Sequence, residues 1–156
     1  MRAPIQPEGT FDGLSPTAIL YGAFVDIAVT LILSTLVALW LAPDLASQDE
    51  AVARQALEEL HASTLYIDAN LAIGALCTAL GAFAGARRAG QLHVRHGGWI
   101  AVTSTALGVF LTLLEPTPTE VGSVPVWVEV TAWLLILPAG MTGGALASAM
   151  QRPPEA

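Results

Sequence analysis

The chain has 156 residues, of which 54% are hydrophobic and only 12% are charged. A soluble domain carries about twice that charged fraction, and so few polar side chains do not cover a globule of this size. The formal net charge is −7, with six arginines and no lysine, which excludes the basic stripe that nucleic acid requires.

The mean hydropathy is +0.62, and the apolar residues gather in four blocks. They run over about 17–42, 64–86, 98–114 and 125–150. A helix needs about 20 apolar residues to cross the hydrocarbon of a bilayer. Three blocks meet that length, and the third sits at its lower limit. None alternates with period 2, so helices are expected rather than strands. The fold class expected is all-α: one integral membrane four-helix bundle of two transmembrane hairpins, with a short extracytoplasmic amphipathic helix.

In chain order, Ser15-Pro16 supplies an N-cap and a proline for the first helical position. Pro43 stops the first span. That span is too long for a signal-peptide h-region, and Glu8 and Asp12 precede it, so it is expected to stay uncleaved. Ser47-Gln48-Asp49-Glu50 matches a capping box, with Val52, Ala56, Leu57 and Leu60 recurring at helical spacing. The reading is a short amphipathic helix over 48–61, lying on the membrane or extending the second span. Pro116 and Pro118 break the chain after the third span, and Pro125 opens the fourth. Pro138 lies inside the fourth, where a kink and a freed Leu134 carbonyl are expected. Pro153-Pro154 ends the sequence in an extended tail.

Four spans put both termini on one side. That face then carries Arg2, Arg87, Arg88, Arg95 and Arg152, five of the six basic residues. The other carries Arg54 with Asp44, Asp49, Glu50, Glu58, Glu59, Glu115 and Glu120. The positive-inside rule places the termini and the topogenic Arg87, Arg88 and Arg95 in the cytoplasm of a cell with an inner membrane. Tyr21 and Trp99 fit an inner aromatic belt, and Trp40, Tyr66 and Trp127 an outer one.

Asp26 is the residue that points most directly to chemistry. It lies ten residues into the first span, about 15 Å along a helix and near mid-membrane. An ionised carboxylate there costs about 2.5–3.5 kcal/mol on insertion scales, so it is protonated, paired or facing a wet cavity. Thr30 and Ser34 follow at i+4 and i+8 and continue its stripe. Thr103, Ser104 and Thr105 on the third span lie at comparable depth. Two roles remain open for Asp26: a proton or cation relay, or a neutral acid joining helices. Asp68 and Asn70, early in the second span, and Glu129, early in the fourth, read as interfacial anchors.

Small residues form the second pattern. The second span carries Gly74-xxx-Thr78-xxx-Ala82 and Cys77-xxx-Gly81-xxx-Gly85. The fourth carries Gly140-xxx-Gly144-xxx-Ser148 and Ala139-xxx-Gly143-xxx-Ala147. Glycine-zipper strips of this kind let backbones approach closely. Packing of the second span on the fourth, or between copies of the chain, is expected, with Cys77 a small packing residue. A narrow conduit lined by backbone is the alternative. The connection 87–96 holds His93 and His96, and two imidazoles make a poor metal site. No metal or cofactor is expected, and no hydrolase or nucleotide-binding motif appears.

The stretch Gly81-Ala82-Phe83-Ala84-Gly85-Ala86-Arg87-Arg88-Ala89-Gly90, followed by Gly97-Gly98, resembles a YrzE-like family of small four-helix bacterial membrane proteins. Ala139-Gly140-Met141-Thr142-Gly143-Gly144-Ala145 is similar to that family's glycine-rich last helix. The resemblance implies the four-span topology and no defined activity. The acidic first outer loop and Asp26 depart from it. The function expected is therefore a non-enzymatic structural or accessory membrane subunit, partnered by the bilayer and by itself or another subunit. A small transporter or channel component using Asp26 is the alternative.

Overall fold

The computed structural model describes residues 11–47, 49–114 and 125–151, and these carry five α-helices and no strand. Gln48, the two proline-bearing stretches 115–124 and 152–156, and the charged residues of 1–10 lie outside the described residues. The expectations for Arg2, Glu8, Glu115, Glu120 and Arg152 fall there too.

Helix α1 spans Pro16–Leu41. Ser15 caps it, its hydroxyl accepting from the Ala18 N–H at 3.4 Å, with proline at the first position. Pro43 then opens a 3₁₀ turn, Pro43–Ala46. Helix α2, Glu50–Ala62, begins later than the expected 48–61. Its N-cap is Asp49, which accepts from the Ala51 and Val52 N–H groups, rather than Ser47. The Ser47 hydroxyl accepts from the Asp49 N–H instead, so the capping box lies two residues upstream of the true cap. Helix α3, Thr64–Ala89, ends on Gly90, whose φ of +72° closes the C-terminus in the left-handed region.

Helix α4, His93–Leu114, starts five residues before the expected Gly98. The connection read as 87–96 is thus three residues long. Arg87 and Arg88 form the last turn of α3, where cations suit the helix dipole. Arg95 and His96 belong to α4. Helix α5, Val126–Gln151, runs on through Pro138, where the Thr142 hydroxyl donates to the Pro138 carbonyl at 2.7 Å. Three helices, α1, α3 and α5, are long and apolar enough to cross a membrane. They make the chain a multi-pass membrane protein by length and hydropathy.

Helix α3 packs on α1 and α5, and α4 packs on α5, α3 and α1. Helices α1 and α5 therefore occupy opposite corners of the bundle. Large apolar side chains such as Phe24, Trp40 and Leu76 point outward, as a lipid-facing surface requires, while the interior is built largely from small residues.

Those small residues make two close seams at one end of the bundle, the end of the 90–92 turn. In the first, Gly22 of α1 meets Gly81 of α3, and a Cβ on Gly81 would lie 2.5 Å from the Gly22 carbonyl oxygen. Gly85 continues this seam against Ala18. In the second, Gly97 of α4 meets Gly140 of α5, and a Cβ on Gly140 would lie 2.5 Å from the Gly97 oxygen. Gly144 continues it against His93, while Gly143 meets Ala79 and Ala82 of α3. Both strips were expected to face each other or a second copy. The expected contact of the second span with the fourth is made where Ala82 of α3 meets Gly143 of α5, whereas Gly81 and Gly85 of the α3 strip are spent on α1, and Gly140 and Gly144 of the α5 strip on α4. Ser148 lies half-buried beyond Gly144. Gly74, expected in the same packing role, meets nothing: a Cβ there has no neighbour within 4 Å.

Two substitutions separate these environments. Gly140→Leu is expected to destabilise by at least about 1–3 kcal/mol, because backbone cannot yield to a side chain. Gly74→Ala is expected to stabilise by up to about 0.5–1 kcal/mol through helix propensity. Thermal melts of the two variants in one detergent check the opposite signs.

Candidate functional site

Toward the α2 end the four long helices part around a partly open cavity of about 580 Å³. The division with the glycine seams is sharp. From α1 the lining begins at Asp26, from α4 at Ser104, and from α3 it ends at Thr78. From α5 it ends at Ile136, short of Gly140. Most of the wall is aliphatic, with Leu71, Leu111 and Leu135 among its side chains. Gly74 and Gly108 also line it, and a Cβ at either would meet nothing within 4 Å. Bare backbone at these two positions keeps the space open.

Asp26 lies at the floor, 4% exposed. The Thr78 hydroxyl of α3 donates to its Oδ2 at 3.1 Å, and the Thr30 hydroxyl of α1 donates to Oδ1 at 3.4 Å. Thr78 sits eleven residues from the C-terminal end of α3, as Asp26 sits ten from the start of α1. Antiparallel packing brings them to one level. Ser104 of α4 stands beside the same carboxylate, yet its buried Oγ lacks the geometry of a hydrogen bond with any group. Thr105 also lines the cavity but donates to its own helix, at the Ala101 carbonyl, at 2.9 Å.

About two turns farther out, the Ser34 hydroxyl donates to Asn70 Oδ1 at 2.7 Å. Asn70 Nδ2 in turn donates to the Tyr66 carbonyl at 3.1 Å. This second tie between α1 and α3 was not anticipated, since Asn70 read as an interfacial anchor. Thr78 was seen only as part of a small-residue strip. Its signal was its depth, which matches that of Asp26. Asp68 and Glu129 are exposed and stand apart from the cavity. The lining nearest α2 is aromatic, with His61 and Tyr66 edge to face at 5.5 Å between centroids. His61 Nδ1 is bonded to the Leu57 carbonyl at 2.8 Å.

The opposite end is tied by the histidines of the 87–96 segment. His96 is fully buried and accepts the Ser15 N–H at Nε2, 2.9 Å away, with Nδ1 bonded to the Leu92 carbonyl. Those two partners select the neutral tautomer protonated at Nδ1. The latch fixes the start of α1 to α4. His93 Nε2 bonds Gln151 Oε1 at 2.6 Å, and Gln151 Nε2 donates to the Arg87 carbonyl, joining the ends of α3, α4 and α5. Arg88 lies over the Tyr21 ring and Arg87 over Phe83. Cys77 is buried beside the Asp26 level. Among the described residues no cluster of three His, Cys, Asp or Glu side chains has the placement to hold a metal ion.

His96→Ala is expected to cost about 1–3 kcal/mol, because it leaves the Ser15 N–H without its acceptor. The loss should appear as a lowered melting temperature. Protection of the amides at the start of α1 should fall in hydrogen exchange, while that around Asn70 holds.

No protein-family model matches the chain, and no curated protein or solved structure does.

Proposed function

We propose that this is a four-span inner-membrane protein with cytoplasmic termini that binds and passes a cation or proton at Asp26, as a small transporter or channel component. Helix α4 serves as the fourth span. Its 22 residues give a length of about 33 Å, and it packs within the bundle against α5, α3 and α1. Charge asymmetry supports the threading. Arg87, Arg88 and Arg95 sit at the sealed end, and Asp44, Asp49, Glu50, Glu58 and Glu59 at the end where the cavity opens.

One observation favours transport over a purely structural role: the carboxylate sits at the floor of a cavity lined by all four long helices. An acid that only joins helices needs its hydroxyl partners and packed neighbours, and a space of this size beside it adds nothing to that task. The role of an accessory subunit joined through glycine strips loses its main support, because those strips are buried within one chain.

The test uses the full chain in proteoliposomes with a trapped pH-sensitive dye and an imposed membrane potential. Wild type is expected to move protons or a monovalent cation above the protein-free background. Asp26→Asn is expected to fall to that background while retaining its helical circular dichroism. A variant that conducts like wild type contradicts the proposal.

A further inference from the structure

The cavity has two chemical regions. Its wall is mostly aliphatic, and its floor presents one carboxylate with the hydroxyls of Thr78 and Ser104. The six arginines of the sequence stand at 2, 54, 87, 88, 95 and 152, and those in the described residues lie outside the cavity lining. Asp26 has hydroxyl partners alone, so its charge at this depth is balanced by a proton or by something that enters.

The volume falls within the range of sites that hold small organic molecules. An inorganic cation would use only the oxygens gathered at the floor, those of Asp26, Thr30, Thr78 and Ser104, and would leave the apolar remainder of the cavity without a role. A ligand with a large apolar body and one positive charge uses both regions at once. The α2 end of the lining suits the same ligand, since the Tyr66 ring is of the kind whose face attracts a cation. Acidic residues of the 3₁₀ turn and α2 raise the local concentration of cations at that end. Finally, the buried Ser104 hydroxyl, 8% exposed, lines the cavity beside the carboxylate.

We infer that the cavity binds a hydrophobic monovalent organic cation, its charge against Asp26 and its apolar body along the walls around Gly74 and Gly108. This deepens the transport reading and rests on it. When the carboxylate holds a proton, cation binding displaces it: the O–H bond of Asp26 breaks, the proton leaves to solvent, and the ion pair takes its place. Proton and cation then occupy the site alternately, and no other reactant is needed.

The test is equilibrium dialysis of the purified full chain in neutral detergent against radiolabelled tetraphenylphosphonium, with tetraphenylborate as its anionic counterpart of like shape. Saturable binding of the phosphonium at about one per chain is expected, with a drop in pH in unbuffered solution. Asp26→Asn should weaken it by about tenfold or more. Gly74→Phe, which fills the cavity without touching the carboxylate, should abolish it while the melting temperature holds. Equal binding of the borate, or phosphonium binding unchanged in Asp26→Asn, would overturn the inference. No phosphonium binding by a wild-type chain whose ion flux still depends on Asp26 overturns the inference alone. Phosphonium binding that requires Asp26, in a chain whose flux does not, overturns the transport reading instead.

Discussion

The bundle depends on backbone meeting backbone at one end. Where Gly22 faces Gly81 and Gly97 faces Gly140, there is no room for even one methyl group between helices. Inside a bilayer the hydrophobic effect does not hold helices together, so close van der Waals contact has to. Pinning four helices this tightly at one end lets them diverge at the other. A cavity there is the geometric consequence, and side chains of modest size at its walls do not refill it.

Asp26 stands at the boundary between the two regimes. Gly81, part of the tightest α1–α3 contact, lies against the Asp26 backbone and Cβ. The same contact thus fixes the depth and direction of the carboxylate. The hydroxyls of Thr30 and Thr78 bond its two oxygens, and both threonines line the cavity with it. Packing and chemistry are therefore coupled through one stretch of α1: loosening the seam moves the acid. At the far end the buried His96 latch and the His93–Gln151–Arg87 chain hold the helix ends together through hydrogen bonds.

Much of this was readable in the residues. Hydropathy blocks and proline punctuation located α1, α3 and α5 within about three residues, because lipid demands long apolar runs with internal hydrogen bonding. Asp26 stood out because a carboxylate at that depth is costly. What could not be read was partner choice. Glycine at every fourth position announces a flat surface but does not name the helix that will lie on it, so Gly81 and Gly85 were matched to the wrong neighbour. Gly74 shares their spacing, and only its level along the bundle puts it on the cavity. The early start of α4 was hidden because Arg95 and His96 look like loop residues until the Ser15 N–H is seen to need an acceptor. Asp49, two residues past Ser47, took the cap because its carboxylate reaches two N–H groups at once.

The central claim is that one half of this bundle is sealed by glycine contacts and the other holds a cavity reaching Asp26. The most direct measurement is the reactivity of thiols placed on either side of that boundary. Cys77 is native and buried, 2% exposed, whereas Ala132 lines the cavity. With a small cationic methanethiosulfonate reagent on the full chain in membranes, wild type should stay unmodified and Ala132→Cys should react at one site. An Ala132→Cys chain as inert as wild type, or a Cys77 that reacts as fast as the introduced thiol, would contradict the account.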